Sequence, residues 1–207
     1  MDAPPDKYAA RSEADVLALV TAHPLAWVVS AGEGFSATPL PLRPRLDGAG
    51  QLTALAGHFA RSNPQVQRLR AAPRALALFM GPHGYVSPSW MEDRTQAPTW
   101  NYACAAFDCD IVFEESPEAT RAVLDELIEA MEAGRPKAWG ADDMGPRYEG
   151  LSRGVVGFRA EIRARRVVFK LGQDERDDVF ADIMAALQQE GPQDLARLMD
   201  VYAAARA

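Results

Sequence analysis

The sequence predicts an α+β chain that is mainly β: short antiparallel strands forming a small barrel or sandwich, with helices added at the start, between strands and at the C-terminus. Three observations carry this. Strand-like runs are separated by turn signals at roughly ten-residue spacing through the first half of the chain, and another such run follows at 155–171. Strand and helix do not alternate regularly, which disfavours a doubly wound parallel sheet. The chain has 207 residues, 48% apolar and 25% charged, an ordinary globular composition at a length that buries roughly 70% of the unfolded surface. One domain over 1–207 is expected, with a helical C-terminal appendage from about 175.

The elements follow in order. Ser12-Glu13-Ala14-Asp15 reads as a capping box, with Val16, Leu17 and Val20 at helical spacing, so a helix is expected over 12–22 and stops at His23-Pro24. Leu25 to Ser30 is a strand closed by the Gly32/Gly34 turn. Phe35 to Leu42 is extended, and Pro39 and Pro41, two apart, make it an edge strand or a bulged one. Asp47-Gly48-Ala49-Gly50 turns the chain, and Gln51 to Gly57 returns. Ser62-Asn63-Pro64 starts a helix bearing Val66 and Leu69. Ala75 to Met80 is a short buried strand, after which Gly81 to Trp90 is too rich in Pro, Gly and Ser for a regular element. Thr99 to Phe113 is one long strand or a bent pair. Ser116-Pro117-Glu118 opens a helix with Val123, Leu124, Leu127, Ile128 and Met131 on one stripe. Val155 to Leu171 alternates as a long strand or hairpin, and helices near 178–189 and 193–204 close the chain around Gly191-Pro192.

Composition excludes several function classes. Net charge is −7, and only Lys7, Lys137 and Lys170 of the 22 basic residues are lysine. The one basic run, Arg159, Arg163, Arg165 and Arg166, has Glu161 interleaved on its face and reads as the solvated side of a sheet. Direct DNA binding is therefore not expected. MDAPPDKYAARSEAD lacks the apolar core of a secretory signal, and no apolar run approaches the ~20 residues of a membrane span. A cytoplasmic protein without membrane attachment is the expectation. Cys104 and Cys109, five apart, fit neither a disulfide framework nor a zinc site, and inert thiols in an apolar strand are expected. His23, His58 and His83 show no metal-ligand spacing, so no metal is expected. No catalytic residue is identifiable: nucleophile-elbow, P-loop and dinucleotide-binding motifs are absent.

Three segments offer binding chemistry. In Gly57-His58-Phe59-Ala60-Arg61-Ser62-Asn63-Pro64 a strand ends and a helix begins. Helix N-terminal amides favour an anion, Arg61 adds a cation and Ser62 a hydroxyl, which together make a phosphate site. The alternative is an Arg61 paired with a surface carboxylate and a Ser62 that only caps. In the 81–90 loop, Tyr85 and Trp90 either cover a planar ring or plug the end of a barrel. In Thr99-Trp100-Asn101-Tyr102, alternation sends Trp100 and Tyr102 one way and Thr99 and Asn101 the other, without telling which pair faces the core.

The combination of ATPLPL (37–42), GHFARSNPQ (57–65), FMGPHGYVSPSW (79–90), APTWNY (97–102) and FKLGQ (169–173) resembles the PaiB-type family: FMN-binding proteins, named as negative transcriptional regulators, with the split-barrel fold of the pyridoxamine phosphate oxidase superfamily. The resemblance implies a split β-barrel of FMN-binding type and a homodimer holding non-covalent FMN at the subunit interface. It favours the phosphate reading of His58, Arg61, Ser62 and Asn63. It also places flavin contacts on the strand bearing Thr38 and on the strand opened by Thr99, Trp100 and Asn101, and brings Lys170 and Gln173 to the site. The chain departs from the family pattern at Pro39, where the family carries His, in the short 90–98 loop, and after Gln173. Two other readings stay open: a flavin-dependent oxidoreductase acting on a small substrate, and a cofactor-free dimer that keeps the fold.

Overall fold

The computed structural model describes residues 6–32 and 34–204. The first five and last three residues of the expected 1–207 domain lie outside the described residues. In chain order the elements are α1 (Glu13–Ala22), β1 (Leu25–Ser30), β2 (Ser36–Pro41), β3 (Arg43–Leu46), β4 (Leu52–Ala60), α2 (Pro64–Ala71), β5 (Arg74–Val86), β6 (Thr99–Glu114), α3 (Pro117–Glu132), α4 (Arg147–Ser152), β7 (Val155–Lys170), α5 (Asp177–Glu190) and α6 (Gln193–Ala203). The seven strands form one sheet in the order β2-β1-β5-β6-β7-β4-β3. The pairings β1–β2, β1–β5, β3–β4 and β4–β7 are all antiparallel. The α+β class, mainly β, is as expected, and β2 is an edge strand as its prolines require.

Local chemistry explains most boundaries. Ser12 and Asp15 exchange backbone-to-side-chain hydrogen bonds at 3.3 and 3.0 Å, closing the capping box at the start of α1. Ser116 caps α3 through its hydroxyl, which accepts from the Ala119 amide at 3.0 Å. Asn63, not Ser62, caps α2, accepting from the Gln65 amide at 2.9 Å. The 99–113 and 155–171 runs are each one continuous strand rather than a bent pair or hairpin.

Two expectations are corrected. Gly81–Val86 is not irregular: it continues β5 to a total of 13 residues. Alternation slips by one where Gly81 and Pro82 are both buried, as at a β-bulge, and then resumes. The glycines there serve close packing. A Cβ on Gly81 would collide with Leu19 Cδ1 and sit 3.2 Å from the Ala103 carbonyl oxygen, and one on Gly84 would sit 3.0 Å from Leu195 Cδ2. Second, the extended run does not end at Leu42. It resumes as β3, which pairs with β4 from Arg43↔Ala56 onward.

The chain divides into two compact units. One comprises residues 1–19, 80–105 and 166–207, and the other residues 20–79 and 106–165. In the second unit Phe59, Phe158, Phe79, Phe107, Leu42 and Leu55 are buried. The rings of Phe59 and Phe158 lie 5.1 Å apart, and Phe79 meets Phe107 edge-on at 5.7 Å. In the first unit α5 and α6 bury Ile183, Leu187, Leu195 and Met199, and Tyr202 stacks on Phe169 at 5.0 Å. Full burial of such side chains contributes about 1.5–3 kcal/mol each.

Candidate functional site

The expected site residues fall into two groups, one in each unit. In the second unit, β4 delivers the chain into a turn at Arg61-Ser62 and α2 leaves it. The Arg61 amide donates to the Gly154 carbonyl at 2.9 Å and the Asn63 amide to the Ala60 carbonyl at 2.9 Å, so the backbone of the turn is pinned at both ends. Arg61 and Ser62 are exposed. The Arg61 guanidinium lies 3.8 Å from Glu115, a carboxylate that Arg70 holds more closely at 2.8 Å. Both readings of Arg61 thus meet in one place: a carboxylate is near, but the pair is long and solvent-exposed, where such contacts contribute little.

Behind the turn, Asn63 and Thr38 are joined. Asn63 Nδ2 donates to Thr38 Oγ1 at 3.0 Å, and Thr38 Oγ1 donates to Gln65 Oε1 at 2.6 Å. Gln65 lies in the 57–65 motif but carries no signal of its own importance; only its position, two residues past the capping asparagine, marks it. His58, one strand position before the buried Phe59, keeps its Nδ1 buried without a hydrogen-bond partner. Burial pushes the His58 pKa down, so its ring is neutral at pH near 7.

In the first unit, Lys170 Nζ donates to Thr99 Oγ1 and, at 2.8 Å, to the Trp100 carbonyl, joining the end of β7 to the start of β6. The open alternation of 99–102 is resolved here. Asn101 points inward at 2% exposure, and its amide lies 3.6 Å from Met199 Sδ. Trp100 points outward at 54% exposure. Its ring stacks near His83, 6.4 Å between centroids and 26° between planes, and lies 6.0 Å from Tyr85. Extension of β5 through 81–86 is what carries His83 and Tyr85 there, so the loop reading concealed this aromatic surface. Gln173 folds back on its own turn: Oε1 accepts from the Leu171 amide at 2.7 Å and Nε2 donates to the Phe169 carbonyl. Gly172 makes that turn possible with φ +77°.

The cysteines are free, Cys109 buried and Cys104 half-buried. Burial pushes the Cys109 thiol up to about 12, so it is protonated and unreactive at neutral pH. Arg159 bonds Glu114 at 3.0 Å and Glu161 at 2.9 Å, and Arg163 pairs with Asp110. No helix among the described residues is long and apolar enough to cross a membrane.

A family model described as "Putative FMN-binding domain" matches residues 3–164. The protease synthase and sporulation protein PAI 2 of Bacillus subtilis is 32% identical over 139 residues, 66% of this chain and 65% of that protein. The chain thus spans just under two thirds of that relative's length. Two solved structures share the fold at low identity. Flavocytochrome Anf3 from Azotobacter vinelandii has a TM-score of 0.59 at 14% identity, covering 82% of this chain and 76% of that one. The FAD and heme binding protein from Mycobacterium smegmatis has a TM-score of 0.55 at 19% identity, covering 85% and 78%. With the family match over most of its length, the chain belongs to the FMN-binding-domain family, in a split-barrel fold shared with these flavin-protein structures.

Proposed function

We propose that the chain binds FMN non-covalently, that it works as a homodimer, and that it serves a regulatory role of the PaiB type through the bound flavin. The observation that carries the FMN reading is the Arg61-Ser62 turn. It offers an exposed guanidinium, an exposed hydroxyl and a helix N-terminus together, with a backbone already fixed. The residues fit the group: the Arg61 guanidinium and the Ser62 hydroxyl are the exposed donors a phosphate would meet, in the field of the α2 N-terminus, whose Gln65 and Val66 amides already donate to Asn63, and His58 is neutral with its Nδ1 buried. Within the first unit taken by itself, Trp100 faces outward beside His83 and Tyr85 as an exposed aromatic surface. The flavin supplies redox chemistry when bound; the chain's residues bind and orient it.

An apolar face supports the homodimer. The registers place Pro39 opposite Trp27 and Trp27 opposite Leu78, with Leu25 and Leu76 beside them. Trp27 is 52% exposed, and a contiguous patch of this kind marks an interaction surface. Pro39 lies in this row, so the family's polar residue is replaced by one that packs. The ion pairs of Arg159 and Arg163, which partly neutralise those cations, support a role without direct duplex contact.

The test is Arg61→Ala. Its FMN affinity falls about tenfold or more while riboflavin affinity, measured by the same flavin-fluorescence titration, barely moves, since riboflavin lacks the phosphate. Equal loss for both ligands would make Arg61 a structural residue and remove the phosphate site.

A further inference from the structure

Gln65, in the first turn of α2, has 0% exposure. A primary amide at such depth is costly unless its donors and acceptor all find partners. Here they do. Nε2 lies 2.9 Å from the Val28 carbonyl, 3.1 Å from Ser30 Oγ and 3.1 Å from the Ser36 carbonyl, three oxygens for two protons. Oε1 accepts from Thr38 Oγ1 at 2.6 Å. Thr38 Oγ1 accepts from Asn63 Nδ2 at 3.0 Å, and Asn63 Oδ1 accepts from the Gln65 amide at 2.9 Å. The bonds form a closed ring from the Gln65 side chain through Thr38 and Asn63 back to the Gln65 backbone. An apolar side chain would fill the same space, so what the amide adds is geometry: it holds β1, β2 and the 61–63 turn in one arrangement.

We propose that Gln65 is a positioning residue for phosphate recognition. Acting through Thr38 and Asn63, it fixes the Arg61-Ser62 turn at the start of α2 so that the Arg61 guanidinium and the Ser62 hydroxyl converge on the 5′-phosphate of the flavin. Gly154 pins the Arg61 end of the turn and the Gln65 ring pins the Asn63 end. No member of the ring is charged, so the turn keeps its shape while the phosphate it receives changes ionisation. This inference rests on the proposed FMN site and names the residue that shapes it.

The experiment measures FMN and riboflavin affinity by fluorescence quenching, with thermal melting, for the wild type, Gln65→Leu and Gln65→Glu. In Gln65→Leu the preference for FMN over riboflavin falls by about tenfold while melting stays cooperative. Gln65→Glu supplies a rescue that a purely structural role does not give. The carboxylate it introduces cannot donate to the Val28 and Ser36 carbonyls, but once protonated its single hydroxyl can donate to one of them. The FMN preference of this variant, taken relative to the wild type at each pH because the phosphate also titrates near about pH 6, therefore recovers as pH is lowered from about 9 to about 6. If Gln65→Leu fails to melt cooperatively, the Gln65→Glu titration decides alone. A parallel fall of both ligands with no recovery at low pH overturns the inference, as does an FMN preference that survives both substitutions. A wild type with no preference for FMN removes the phosphate site itself, a result readable before any variant is made.

Discussion

Arg61 and His58 stand three residues apart, yet physical reasoning treats them differently. Arg61 was legible as a candidate because cation, hydroxyl and helix start adjoin in sequence. Gln65 was not, because nothing in a sequence reveals that a glutamine is fully buried; its importance lies in Val28, Ser30 and Ser36, which are 37, 35 and 29 positions upstream. His58 makes a prediction at this scale. Burial holds its pKa below the ordinary value of about 6.5, so the unfolded chain takes up a proton that the folded one resists. The neutral ring's contribution to stability is complete above about pH 6.5 and is lost as pH falls toward the lowered folded value. Denaturant unfolding from about pH 7.5 to about pH 5.5 should cost the wild type more stability than His58→Gln, which has no proton to gain. Parallel losses in the two proteins would show that His58 is not the titrating group.

At the level of elements, periodicity and capping residues located α1, α3, β1, β6 and β7 closely, because those signals are local. β5 was cut short because Gly81, Pro82 and Gly84 look like a loop, whereas contacts with Leu19, Ala103, Pro192 and Leu195 require small residues in a strand. α4 went unread: six residues are too few for a periodic signal. The distinction between glycines is testable. Gly81→Ala forces a methyl against Leu19 and the Ala103 carbonyl and should destabilise by about 1–3 kcal/mol. Gly150→Ala, in α4, meets nothing within 4 Å and should be neutral or stabilising, by up to about 1 kcal/mol. Shifts in denaturation midpoint measure both, and equal effects would contradict the packing explanation of Gly81.

For the whole molecule, the split-barrel class was legible from strand spacing plus the family motifs, whereas sheet order was not, since pairing between distant strands leaves no local trace. The exposed row Pro39, Trp27 and Leu78 belongs to this scale because it is the face the proposed homodimer would cover. Sedimentation at micromolar concentration should show a dimer, and Trp27→Glu with Leu78→Glu should shift it to monomer without loss of the folded melt. A monomeric wild type would rule out the homodimer.

The division into two compact units has a consequence for how such a protein is inherited. The chain passes between the units four times, once within α1 and once each within β5, β6 and β7. No crossing falls in a linker, and neither unit is a contiguous stretch of residues. No single genetic break releases either one as a module, and no protease nick between elements does so. Recombination can lengthen or replace what lies outside these elements, but the two units are transmitted together or not at all.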